Sequence, residues 1–84
     1  MQADLFPTDL HLRCIDPEKG KRRFYSLSVQ PTLFGEWALV REWGRVGRSG
    51  RIRCDLYGSA GQALDALAVL ARRKQQRGYT ATRC

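Results

Sequence analysis

Apolar and polar residues alternate through the first two thirds of the chain, and a helical rhythm takes over only near residue 60. Alternation at period two marks a half-buried strand, whereas recurrence every three or four residues marks an amphipathic helix. Leu10, Leu12 and Cys14 alternate with His11 and Arg13, which predicts a first strand. Asp16-Pro17-Glu18-Lys19-Gly20 has the chemistry of a turn, with proline and glycine each suitably placed. Arg22 to Val29 reads as a second strand, with Tyr25, Leu27 and Val29 on one face and Arg22, Phe24, Ser26 and Ser28 on the other. Gln30 to Gly35 is a loop, Trp37 to Gly47 a third strand and Arg51 to Tyr57 a fourth. There is no internal repeat and no low-complexity run.

The helix carries its own punctuation. Ser59-Ala60-Gly61-Gln62 has the spacing of a capping box, in which the serine oxygen takes an orphan amide at the helix start. Leu64, Leu67, Ala68 and Ala71 then form an apolar stripe. Arg72, Arg73, Lys74 and Arg77 load the last turns, where positive charge complements the macrodipole, and Gly78 suits the left-handed position after the helix. The predicted fold is α+β: an antiparallel sheet of about four strands with one C-terminal helix on one face. The expected division is an N-terminal segment 1–9, a single domain 10–79 and a tail 80–84.

The third and fourth strands make a hairpin whose register sorts the side chains. A three-residue loop Arg48-Ser49-Gly50, with Gly50 left-handed, sets Val46 opposite Ile52 and Gly44 opposite Cys54. Ala38, Val40 and Leu56 join them on a small-apolar face, which is expected to receive the helix, Gly44 allowing its close approach. The other face gathers Arg41, Trp43 and Arg45 with Arg51, Arg53, Asp55 and Tyr57, and Arg22 and Phe24 are expected to extend it. Guanidinium groups hold phosphates, and an exposed indole stacks on a base or ribose not sealed in a duplex. The same arrangement also arises when a tryptophan lies on its own sheet under stacked arginines.

Composition agrees with a folded cationic module. The 84 residues hold 15 lysines and arginines against 8 acids, a net charge of +7, and 43% are hydrophobic, too many for a disordered basic tail. Anions are the expected partners, nucleic acid before acidic lipid or acidic protein. Residues 1–13 carry Asp4 and Asp9 and no long apolar core, so no secretory signal is expected there, and the nine-residue apolar run 63–71 is about half a membrane span. Cys14, Cys54 and Cys84 form no metal-ligand pair and no closed disulfide set, which fits a reduced cytoplasmic setting. His11 has no nucleophile at a recognisable spacing. Glu36, Glu42 and Asp55 read as arginine partners, and Gly44, Gly47 and Gly50 lack the sequel of a phosphate loop. No catalytic activity, metal or cofactor is expected.

Trp43-Gly44-Arg45-Val46-Gly47 resembles the defining element of the WGR domain. The likeness extends to Arg23-Phe24-Tyr25-Ser26-Leu27, Leu33-Phe34-Gly35-Glu36-Trp37 and Leu39-Val40-Arg41-Glu42-Trp43, to Ser59 with Ala63, and to the basic run and Gly-Tyr of residues 74–79. Together these are similar to short bacterial members of the family. In the poly(ADP-ribose) polymerases this domain binds broken DNA, its tryptophan packing on the sugar of a strand end and its arginine relaying the bound state. The resemblance implies those positions for Trp43 and Arg45, and a changed contact at Arg22 in place of an asparagine. No transferase domain is expected to receive a relay.

The expected function is therefore non-catalytic binding of nucleic acid, DNA with ends, nicks or gaps foremost. The expected contacts are Trp43, Arg45, Arg41, Arg51, Arg53 and Arg22, and the setting is cytoplasmic and nucleoid-associated. The alternative is an adaptor that docks a separate protein through Trp43 and Arg45. Neither a membrane nor a small-molecule substrate is expected.

Overall fold

The structure, a computed structural model, describes residues 9–81. Four strands run as an antiparallel meander: β1 (Asp9–Asp16), β2 (Lys21–Pro31), β3 (Trp37–Arg45) and β4 (Arg51–Tyr57). Helix α1 (Ala60–Gln76) then crosses one face of the sheet, and β5 (Thr80–Ala81) pairs with the outer edge of β1. The strand order is β4-β3-β2-β1-β5. The fold class is the α+β sheet-and-helix expected from the pattern. The short fifth strand is new, in a stretch assigned to the tail; residues 1–8 and 82–84 of the expected terminal segments lie outside the described residues.

Local chemistry sets the joints. Between β1 and β2, Pro17–Lys19 forms a single 3₁₀ turn closed by Gly20 at φ 67°. The Ser59 side chain caps α1 by accepting from the Gln62 amide at 3.2 Å, and the Gln62 side-chain oxygen reaches back to the Gly58 amide at 3.2 Å. At the other end Gly78 takes φ 98° after the Arg77 cap. Its amide donates to the Gln75 carbonyl at 3.1 Å, and the Tyr79 amide donates to the Lys74 carbonyl at 3.0 Å. This pair of bonds is the Schellman closure, which turns the chain sharply back on the helix.

The helix lies on the face opposite to the one expected. Leu12, Tyr25, Leu27, Val29 and Leu39 of the sheet are buried against Ala63, Leu67 and Ala71. The register explains the outcome: Tyr25 stands opposite Trp43, Leu27 opposite Arg41 and Val29 opposite Leu39. The large apolar residues of β1 and β2 therefore share the Trp43 face. The Val40 face receives His11, Ser26 and Ser28 from the same strands. Burying a leucine-sized side chain is favourable by about 1.5–3 kcal/mol, so the two central strands outweigh the small residues of the β3–β4 hairpin. Ala63 and Ala71, at 0% and 7% exposure, let the helix backbone come close to the sheet.

The hairpin register also differs from the expectation while keeping the same faces. Glu42, not Val46, stands opposite Ile52, and the connection spans residues 46–50. The left-handed residue is Gly47, at φ 89°, rather than Gly50. Gly50 is required for space: a Cβ there would lie 2.3 Å from the Trp43 carbonyl oxygen. Gly44 admits not the helix but the Gly50 backbone, which a Cβ would meet at 2.9 Å, and the Phe24 ring. Phe24 stands opposite Gly44, so Phe24 and Arg22 belong to the bare face and do not extend the Trp43 face.

Candidate nucleic-acid interface

The C-terminal end of α1 comes down onto the part of the sheet where β2 and β3 carry Tyr25 and Trp43. These two are cross-strand partners, with ring centroids 6.0 Å apart and planes tilted by 33°. Schellman closure after α1 carries Tyr79 onto the other side of Tyr25, edge to face at 6.4 Å. The Lys74 ammonium sits over both tyrosine rings, 4.6 Å from the Tyr25 centroid and 5.5 Å from that of Tyr79. Three aromatic rings thus run side by side with a lysine above them. Trp43 is half-buried and packs against the core, so its indole combines a structural role with a partly open surface.

Around this row the charge is one-sided. A cleft of about 400 Å³ is lined by Cys14, Lys21, Arg23, Lys74, Arg77 and Tyr79. A neighbouring one of about 380 Å³ is lined by Lys19, Gly20, Lys21, Arg22, Arg23 and Arg45. Lys21 and Arg23 line both, and among the described residues no carboxylate lines either. Lys74 registers this imbalance. Its pKa lies below the ordinary lysine value of 10.5, first because burial strips water from the ammonium and then because Arg77, Arg41 and Arg23 repel it. An anion in the cleft would relieve that repulsion.

The sequence-derived residues divide under this geometry. Arg45, exposed, stands opposite Arg23 at the end of β3. Arg22 belongs to the opposite face, yet it lines the same end cleft as Arg45, and its carbonyl accepts from the Val46 amide at 2.9 Å. Arg51 is exposed and lies opposite Trp43. Arg41 and Arg53 are differently engaged, both binding Asp55, at 3.1 and 3.2 Å. The Arg41 side chain is 17% exposed, and its Nε is buried without a hydrogen-bond partner. Burial pulls the Arg41 guanidinium down, but Tyr25 and Asp55 outweigh it and hold its pKa above the ordinary value.

Sequence reasoning missed Tyr25, Arg23, Lys74, Arg77 and Tyr79 as parts of one site. Two signals carried them. Pairing the second strand with the third would have set Tyr25 beside Trp43. A Schellman closure at Gly78 would have placed Tyr79 next to Lys74. On the bare face the register brings His11 Nδ1 to 3.0 Å from Ser26 Oγ, which chain spacing had not disclosed. Among the described residues no group of three or more histidines, cysteines and carboxylates gathers as a metal site would, and no helix is long and apolar enough to cross a membrane.

Comparison with known proteins bears on this site. The WGR domain profile matches residues 8–83, and the chain belongs to the WGR family. That family is associated with nucleic-acid binding in proteins related to the poly(ADP-ribose) polymerases. An uncharacterized protein of Sinorhizobium fredii, y4dW, is 36% identical over 73 residues, which cover 87% of this chain. The match spans only 36% of that relative's length. No solved structure matches significantly.

Proposed function

We propose that this WGR domain is a non-catalytic nucleic-acid-binding module whose ligand is DNA with an exposed strand end, nick or gap. The observation that carries the reading is the aromatic row Trp43–Tyr25–Tyr79 flanked by clefts in which, among the described residues, Lys21, Arg23, Arg45, Lys74 and Arg77 meet no carboxylate. Phosphates entering the clefts receive charge-assisted hydrogen bonds from the guanidinium groups. The open part of the Trp43 indole offers a surface for a sugar or base that has no neighbour stacked on it. A closed duplex satisfies only the first of these, so ends and gaps are favoured. Arg45, Arg23 and Arg51 are the proposed first contacts, with Arg22 reaching the same end from the other face. A bacterial nucleoid setting follows from such a ligand.

The test is fluorescence anisotropy with two labelled duplexes of equal length, one with free ends and one closed as a dumbbell, each at about 50 and 200 mM salt. Tighter binding to the open duplex that persists at the higher salt is expected. Equal binding that disappears with salt would reduce the surface to a generic cation. Binding to neither, with capture of a protein through Trp43 and Arg45, would favour the adaptor reading.

A further inference from the structure

The opposite margin of the molecule holds a second surface, independent of the clefts. Among the described residues β4 is an edge strand, pairing with β3 on one side only, so its other side presents unpaired backbone donors and acceptors. Natural edges are blunted by charged side chains, lysine above all, and by proline, bulges or extreme shortness. β4 has seven residues with neither proline nor lysine, and its charges, Arg51, Arg53 and Asp55, all lie on the helix-bearing face. Its bare-face side chains are Ile52, Cys54 and Leu56. Ile52 and Leu56 are 68% and 55% exposed, and Cys54 is an exposed free thiol.

The order of residues in β4 is complementary to itself read backwards. Directly opposed residues in a sheet share a face, so two copies pair antiparallel only in registers that keep parity. The one overlapping all seven residues is centred on Cys54. It sets Arg53 against Asp55 of the second copy, Ile52 against Leu56 and Arg51 against Tyr57, each twice, with Cys54 meeting itself. Opposite charges, apolar pairs and an arginine–aromatic pair all stabilise cross-strand contact. Shifting the centre to Arg53 or to Asp55 puts that charge opposite its own copy, which is repulsive. Charge and hydrophobicity thus select one register.

We propose that two copies of this chain associate through β4, forming a continuous ten-stranded sheet with a two-fold axis at Cys54. The axis stands perpendicular to the sheet, so both helices and both basic ends lie on one side. Ile52 and Leu56 of each copy cover one another, extending the apolar strip that Val40 and Ala38 begin.

The experiment uses the full chain with Cys14→Ser and Cys84→Ser, leaving Cys54 as the sole thiol, under reducing conditions. Sedimentation should show a concentration-dependent monomer–dimer equilibrium, and a short bis-maleimide should link two chains through Cys54. Ile52→Lys, at an exposed position where the new ammonium faces Glu42 of its own chain, should keep the circular dichroism of the fold and weaken dimerisation at least about tenfold, because its charge would be pressed against Leu56 of the other copy. Adding Leu56→Glu, opposite Ala38 in its own chain, should restore the dimer, since this register places the two new charges together. A monomer at every accessible concentration would overturn the proposal, as would a dimer that neither links at Cys54 nor responds to Ile52→Lys. Failure of the double variant to recover would rule out the register.

Discussion

Arg41 and Arg53 share a sheet face with Arg23 and Arg45, yet the two pairs are opposite in electrostatic character. Arg41 and Arg53 converge on one carboxylate, Asp55, which holds both within 3.2 Å. Arg23 and Arg45 face each other across the β2–β3 pairing, with Lys21 and Arg22 lining the same cleft and no acid between them. The first pair is partly compensated by that shared acid and Arg41 is partly desolvated, which makes it a structural brace. The second carries uncompensated charge at the surface, which attracts an anionic partner. Counting arginines on a face is therefore a poor guide to a binding site; what decides is whether an acid already occupies them.

The sharpest way to break this contrast is to remove the shared acid. Asp55→Asn would leave the Arg41 guanidinium, largely buried, without a counter-ion. The expected loss is about 2 kcal/mol, a fall of roughly 8–16 °C in Tm for a domain of this size. Most of it comes from Arg41, because the Arg53 partner is 63% exposed and such a pair contributes little. DNA affinity should not fall, since the variant only adds positive charge. A denaturant titration showing no change in stability would mean that Asp55 braces nothing.

Next in size is a comparison of two single arginine deletions. Arg45→Ala should weaken DNA binding by about tenfold and flatten the dependence of log affinity on log salt by roughly 0.9. Arg53→Ala, on the same sheet face, should change affinity by less than about twofold, because its charge is already offset by Asp55. Anisotropy titrations at three salt concentrations measure both quantities. Equal losses from the two variants would return the site to the broad arginine face that the residue pattern alone suggests.

That pattern disclosed the elements better than their assembly. The β4 bounds, the Ser59 cap and the Gly78 closure depend on residues adjacent in the chain, whose chemistry acts locally. The faces within β2 and within the hairpin were also readable, because side-chain direction alternates strictly along a strand. Which face the helix covers depended on relating β2 to β3, a contact between residues far apart in sequence. Leu39, fully buried, shares its face with Arg41 and Trp43, and the charges near it obscured the core role of that side. Arg22 and Arg23 are neighbours in the chain, so one residue of register decides which of them stands beside Arg45. The aromatic row was hidden for the same reason: Tyr25, Trp43 and Tyr79 belong to three separate segments, and only the folded sheet and the turn after α1 bring them together.

The smallest effect is the most direct reading of uncompensated charge, because it titrates the lysine at the centre of the cleft. Burial and the repulsion of Arg77, Arg41 and Arg23 lower the folded-state pKa of Lys74 below 10.5, so near that pH the unfolded chain binds more protons than the folded one. Stability contributed by this group must then rise with pH between its folded pKa and 10.5, as the repelled proton leaves. Lys74→Met, which keeps the length and removes the charge, should abolish that upward slope, a change read from stability measured on either side of the window. DNA should act in the reverse sense: phosphate in the cleft favours the charged lysine, so affinity should decline as pH rises through the same window. The decline should be smaller in Lys74→Met than in the unsubstituted chain. Parallel curves for the two proteins would mean that phosphate does not reach Lys74, confining the interface to Arg23, Arg45 and the turn between β1 and β2.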